Sequence, residues 1–140
     1  MKCAIFGIGA IGGALASWLV ERYEDVWLID HDALLDKIEK EGLISYKYGG
    51  DKKETQIHVQ PKIMHDLSKL SDMELIIICV KNYSLNKVAS VIKENLSESN
   101  PIILSLANGK KNQEILPDYF NNILYGVIAF NACKDNANVV

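Results

Sequence analysis

Gly7-Ile8-Gly9-Ala10-Ile11-Gly12 stands between a short apolar run and a helical pattern, and few folds accept that order. Cys3-Ala4-Ile5-Phe6 is long enough for one buried strand. After the glycines, Ile11, Ala14, Leu15, Trp18 and Leu19 recur at helical spacing. Asp25-Val26-Trp27-Leu28-Ile29-Asp30 then reads as a second strand closed by an acid. A lone GxGxxG carries little weight. Strand, glycine turn, helix, strand and carboxylate in that order form a dinucleotide-binding unit.

Each residue type has a physical task there. Gly7 permits the tight turn off the strand, Gly9 lets a pyrophosphate approach the backbone, and Gly12 lets the helix pack closely on the sheet. The helix directs free N–H groups and the positive end of its dipole at the phosphates. Asp30 stands at about the separation, roughly twenty residues, expected of an acid that accepts hydrogen bonds from a ribose. The candidate cofactor contacts are Gly7, Ile8, Gly9, Ala10, Ile11, Gly12 and Asp30. A secretory leader is the rival reading, since Lys2 precedes an uncharged run to Val20 containing Ala14-Leu15-Ala16. Glycines 7, 9, 12 and 13 would each weaken its helical region by roughly 1 kcal/mol. A leader also leaves the following strand and acid unexplained, so the dinucleotide reading is preferred.

The chain has 140 residues, the size of one domain, here assigned to 1–140. A net charge of −3, from 15 basic and 18 acidic residues spread along the sequence, argues against nucleic-acid or anionic-membrane partners. No apolar run outside the glycine loop is long enough for a membrane span. Cys3, Cys79 and Cys133 are far apart and form no CxxC; reduced thiols in a cytoplasmic protein, two of them in core strands, are expected. No metal site is expected.

Beyond Asp30, Ala33, Leu34, Leu35 and Ile38 mark an amphipathic helix from Asp32 to Glu41, stopped by Gly42. Residues 43–48 and 54–59 alternate apolar with polar around Gly49-Gly50-Asp51, which predicts a β-hairpin projecting from the sheet, with His58 at its surface. Met64 to Leu70 reads as a short helix. Leu75-Ile76-Ile77-Ile78-Cys79-Val80 is a strand covered on both faces, and Lys81-Asn82-Tyr83-Ser84 follows at its carboxyl end, where open α/β sheets bind ligands. Ser84 is the expected cap of a helix through Leu85, Val88, Val91, Ile92 and Leu96. Residues 102–106 form another strand ending in Ala107-Asn108-Gly109, Lys111 to Leu116 a short helix, and residues 123–130 a last strand. The pattern predicts a Rossmann-type α/β fold, doubly wound and mainly parallel, with an inserted hairpin.

Several of these stretches together resemble the N-terminal domain of the ketopantoate reductase (2-dehydropantoate 2-reductase) family. They are Gly7 to Gly12, Val80-Lys81-Asn82-Tyr83, Asn108-Gly109, and Gly126 through Ala132 with residues 135–140 after it. The resemblance implies that Lys81 and Asn108 line the nicotinamide and substrate end and that Val80 and Ala132 contact the cofactor. It implies NAD(P)H-dependent reduction of a small branched 2-keto acid such as ketopantoate, in pantothenate biosynthesis. It also implies a helical second half, holding further catalytic groups, that this chain does not contain; a homodimer is a possible assembly. Ser84, Ala107 and Lys110-Lys111 depart from the family's usual residues beside the substrate.

The family's cofactor is typically NADPH, held by an arginine just past the second strand. Here His31 matches that arginine, and Asp30 would repel a 2′-phosphate by roughly 4 kcal/mol at about 4 Å in an effective dielectric of 20. An imidazole that is mostly neutral at pH 7 offsets this only partly. NADH is therefore the expected preference, narrowing as pH falls. The other function class considered is a nucleotide-sensing regulatory module of the kind attached to potassium transporters. Such a module needs the phosphate and ribose contacts but not Lys81 and Asn108.

Overall fold

Isoleucine-rich strands with apolar residues at consecutive positions must be covered on both sides, and the computed structural model, which describes residues 1–140, shows how. Strands β1 (Cys3–Phe6), β2 (Val26–Ile29), β5 (Lys62–Ile63), β6 (Leu75–Ile78), β7 (Ile102–Ser105) and β8 (Ile123–Tyr125) form one sheet in the order β5-β2-β1-β6-β7-β8, every pair parallel. Helices α1 (Ala10–Val20), α2 (Asp32–Glu41), α4 (Asn82–Asn95) and α5 (Lys111–Ile115) supply the covering layers. Along β6, Ile76 and Ile78 join one core with Leu85, Val88 and Ile92 of α4. Ile77 joins the other, with Ile5, Leu28 and Leu34, Leu35 and Ile38 of α2. The two cores on opposite faces make the sheet doubly wound, and β6 lies in its middle as its composition predicts.

The region at 43–59 departs from a simple hairpin. Only β3 (Leu43–Ser45) and β4 (Ile57–Val59) pair, antiparallel, as a separate two-stranded sheet. Between them Asp51 caps the one-turn helix α3 (Lys52–Thr55), accepting from the N–H groups of Lys53 and Glu54. The pair does not project freely: Ser45 Oγ lies 2.7 Å from Ser17 Oγ of α1, both buried, and Ile44 exchanges backbone hydrogen bonds with Asn138 and Val140.

Four other expectations shift. Ser84 does not cap α4; the helix begins three residues earlier than that cap implies, with Lys81 at the cap position, and no side chain caps it. The turn after Met64 is a 3₁₀ helix over Leu67–Asp72, capped by Asp66. The strand at 123–130 ends at Tyr125; the Gly126 N–H still donates to the Ser105 carbonyl, and Val127 beyond it is 93% exposed. Cys133 is exposed and Cys79 lies just past β6, so only Cys3 occupies a core strand.

Candidate dinucleotide site

Parallel register aligns the carboxyl ends of the central strands. Phe6 pairs with both Ile29 and Ile78, and Ile78 with Ser105. The residues that follow therefore emerge along one edge: Gly7 after β1, Asp30 after β2, Cys79-Val80-Lys81 after β6 and Leu106-Ala107-Asn108 after β7. The chain leaves β1 towards β2 and later returns on its other side through β6, so this edge contains the topological switch point where open α/β sheets hold ligands. A cleft of about 720 Å³ lies there, lined by Gly7, Gly9, Ala10, Ile11, Asp30 and His31 on one side. Val80, Lys81, Asn82, Ala107 and Asn108 line the other.

Within the glycine loop the three glycines differ. Gly7 has φ +97° and its position is closed by Val80, whose Cγ1 would lie 2.7 Å from any Cβ there. A Cβ at Gly12 would run into the carbonyl of Gly7 and also press on Cys79, so this glycine seats the first turn of α1 against β1 and β6. At Gly9 a Cβ would meet nothing within 4 Å. That open backbone lies at the start of α1, where free N–H groups and the helix dipole favour an anion.

Asp30 does more than end β2. Its Oδ2 accepts the Ile8 N–H at 2.6 Å and its Oδ1 the His31 N–H at 2.8 Å, so the carboxylate fastens the glycine loop to the second strand. Each oxygen keeps a further lone pair for a ribose hydroxyl. His31 is the N-cap of α2, with Nδ1 accepting the Leu34 N–H at 3.3 Å and Nε2 3.6 Å from Asp30 Oδ1. Across the cleft, Lys81 is exposed at the N-terminus of α4 and carries no ion pair, while Asn108 sits beside Gly109, whose φ is +85°.

Comparison with known proteins places this geometry. The family model for ketopantoate reductase PanE/ApbA matches residues 3–140. The chain belongs to the ketopantoate reductase family. It is 29% identical over its whole length to a 2-dehydropantoate 2-reductase of Listeria monocytogenes, covering 46% of that protein. Among solved structures, the ternary complex of D-mandelate dehydrogenase with NADH and anilino(oxo)acetate superposes with a TM-score of 0.82 at 26% identity, over 99% of this chain and 44% of the other. A 2-dehydropantoate 2-reductase from Enterococcus faecalis, so described in its crystal structure, gives 0.81 at 27% identity, over 99% and 45%. The chain thus spans about half the length of the relatives it matches.

Three of the expected cofactor contacts, Ile8, Gly12 and Ala132, do not line this cleft. Ile8 contributes its backbone only; its side chain is 1% exposed within the core on the α1 face. Ala132 lines a different cavity, of about 410 Å³, with Trp18, Tyr46, Tyr48 and Phe130, further along α1. The segment carrying it turns towards β3, where Val140 packs on Gly13 and pairs with Ile44. That second cavity lacks the glycine loop; Ser45, the last residue of β3, and Lys47 help line it. Nearer the loop is Lys134, whose Nζ donates to the Ile8 carbonyl at 2.9 Å across 126 positions of sequence. Sequence pattern had no means of finding that contact. Nor did it single out Asn82, whose amide donates to the carbonyl of Asn108. Its place directly after Lys81, in the polar run past β6, was the available signal.

Proposed function

We propose that this domain binds a nicotinamide dinucleotide, with NADH preferred, and presents its reactive end to a small branched 2-keto acid. The observation that carries the reading is the open backbone at Gly9 on the edge shared by Gly7, Asp30, Lys81 and Asn108. The N-terminus of α1 would hold the pyrophosphate, and Asp30 would accept from the ribose hydroxyls. Lys81 and Asn108, at the ends of the next two strands, would face the nicotinamide and the substrate carbonyl. When bound, NADH supplies the hydride. Lys81 supplies a positive charge beside the substrate's carboxylate or developing alkoxide, and Asn108 a donor that orients it.

The NADH preference rests on Asp30, which is held towards the glycine loop with its side chain 20% exposed, and on His31 serving as a helix cap where an arginine would reach a 2′-phosphate. The domain's neighbour bound to NADH and an oxo acid supports the same substrate class. Reduced thiols in the interior fit a cytoplasmic protein, and a homodimer remains the proposed assembly. Calorimetry with NADH and NADPH at about pH 6 and about pH 8 tests this. NADH should bind tighter at the higher pH, with the gap narrowing at the lower. NADPH binding tighter at about pH 8 would overturn the preference. The Gly9→Asp chain should be folded and bind neither; unchanged affinity would place the site elsewhere. A sensor module would bind the same cofactors but be indifferent to Lys81→Ala and Asn108→Ala in its affinity for the nicotinamide end.

A further inference from the structure

Lys81 and Asn108 belong to separate loops, one following β6 and the other following β7. A site that uses both needs the loops held in fixed relation. Backbone pairing ends with Leu106 N–H donating to the Ile78 carbonyl, just below them. Above that rung the link between the loops is a side chain: Asn82 Nδ2 donates to the Asn108 carbonyl. From the other side Asn112 Nδ2 donates to the Ala107 carbonyl at 2.8 Å, pinning the loop to α5. Successive carbonyls of the loop are thus engaged, that of Ala107 by α5 and that of Asn108 by α4, before Gly109 with its positive φ.

The orientation of the Asn82 amide is settled by its partner. A carbonyl can only accept, so the nitrogen must face Asn108 and the oxygen must face away. That Oδ1 is buried and has no partner in the protein. A buried acceptor left unpaired is costly, and this one belongs to a residue lining the cleft. The hydrogen bond it makes through nitrogen is therefore bought at the expense of the other end of the same amide.

We propose that Asn82 is a positioning residue that latches the two strand-end loops together, so that Lys81 and Asn108 meet the nicotinamide end of the cofactor as one surface. This rests on the dinucleotide reading above and adds to it the residue that couples its two halves. Asn82 touches neither the glycine loop nor Asp30 in its hydrogen bonding, so the adenosine and pyrophosphate end should not feel its loss.

The test compares NADH with ADP-ribose, which has the same adenosine, pyrophosphate and terminal ribose but no nicotinamide. Wild-type chain should bind NADH more tightly than ADP-ribose. Asn82→Ala should weaken NADH by about fivefold to tenfold, the scale of one lost hydrogen bond, and leave ADP-ribose within about twofold. Asn82→Asp keeps the shape and the oxygen but loses the donor, so it should behave like Asn82→Ala. Amide hydrogen exchange gives a second readout: residues 107–110 should exchange faster in both variants while residues 7–12 keep their protection. An unchanged NADH to ADP-ribose ratio in both variants, or equal affinities for the two ligands in wild type, would overturn the latch and leave dinucleotide binding standing. Wild-type chain that binds neither ligand would overturn both readings.

Discussion

At Gly9 and Gly12 an added side chain meets opposite surroundings. Gly9 opens on the cleft, so Gly9→Asp should fold with an unchanged Tm and lose dinucleotide affinity. Gly12 lies against the Gly7 carbonyl and Cys79. Gly12→Ala should therefore destabilise the domain by about 1–3 kcal/mol through overpacking, measurable in urea. Asp30 has two duties, and Asp30→Asn separates them. An asparagine can still accept the Ile8 N–H through its single oxygen, but it no longer repels a 2′-phosphate. We expect the NADH to NADPH affinity ratio to fall by about tenfold or more, with the fold intact. The thiols also differ by position. Burial pushes the Cys79 thiol up to about 12 and that of Cys3 up to about 11, whereas Cys133 is exposed. Since the thiolate is the reactive form, a thiol reagent at about pH 8 should titrate one cysteine quickly and the other two only after denaturation.

Among the elements, β6 bears on both cores, and Ile77 is 3% exposed between β1 and β7. Ile77→Ala should cost about 2–5 kcal/mol, the range for a buried isoleucine whose cavity cannot fully collapse. The edge strand β5 depends on less. It is two residues long and pairs with β2, and Lys62 at its start donates to Asp25 Oδ1 at 2.7 Å. The Lys62 hydrogen bond and charge hold the Asp25 carboxyl below its ordinary value. A lowered carboxyl value stabilises the fold at neutral pH, and that contribution is lost as pH falls through the lowered value. Asp25→Asn should therefore produce a small drop in Tm at neutral pH that vanishes at about pH 2. Both groups are exposed, so the effect is bounded by solvent screening.

Across the whole molecule, no helix is long and apolar enough to cross a membrane. The binding edge has strand ends on one side and open space on the other. Hydride transfer needs a carbonyl held and polarised at close range, and under the proposed function Lys81 and Asn108 are the groups this domain would contribute. We expect the 140-residue chain to bind NADH while reducing 2-keto acids negligibly. Turnover at about 1 per second or faster, the ordinary enzymic range, would show that these strand ends suffice.

Local pattern determined the elements whose residues answer to their neighbours in sequence. The βαβ unit from Cys3 to Asp30 was legible because its turn, helix and strands each carry their own period, and α2 ends at Gly42 as its spacing predicts. The family resemblance pointed to Lys81 and Asn108, and parallel register brings both to one edge. The edge strand β5 was not legible, because two residues carry no period and only β2's open side makes them a strand. The short extent of β8 likewise reflects a missing partner, which no alternation within residues 123–130 could reveal. Nor could local pattern reveal which cavity Ala132 lines: the path of residues 131–140 follows pairing with β3, more than eighty positions away in sequence. The fastening of the glycine loop by Asp30 and the Asn82 latch are also long-range contacts. Sequence determines which groups exist and which local form they prefer; tertiary structure decides which distant carbonyl, amide or void each one meets.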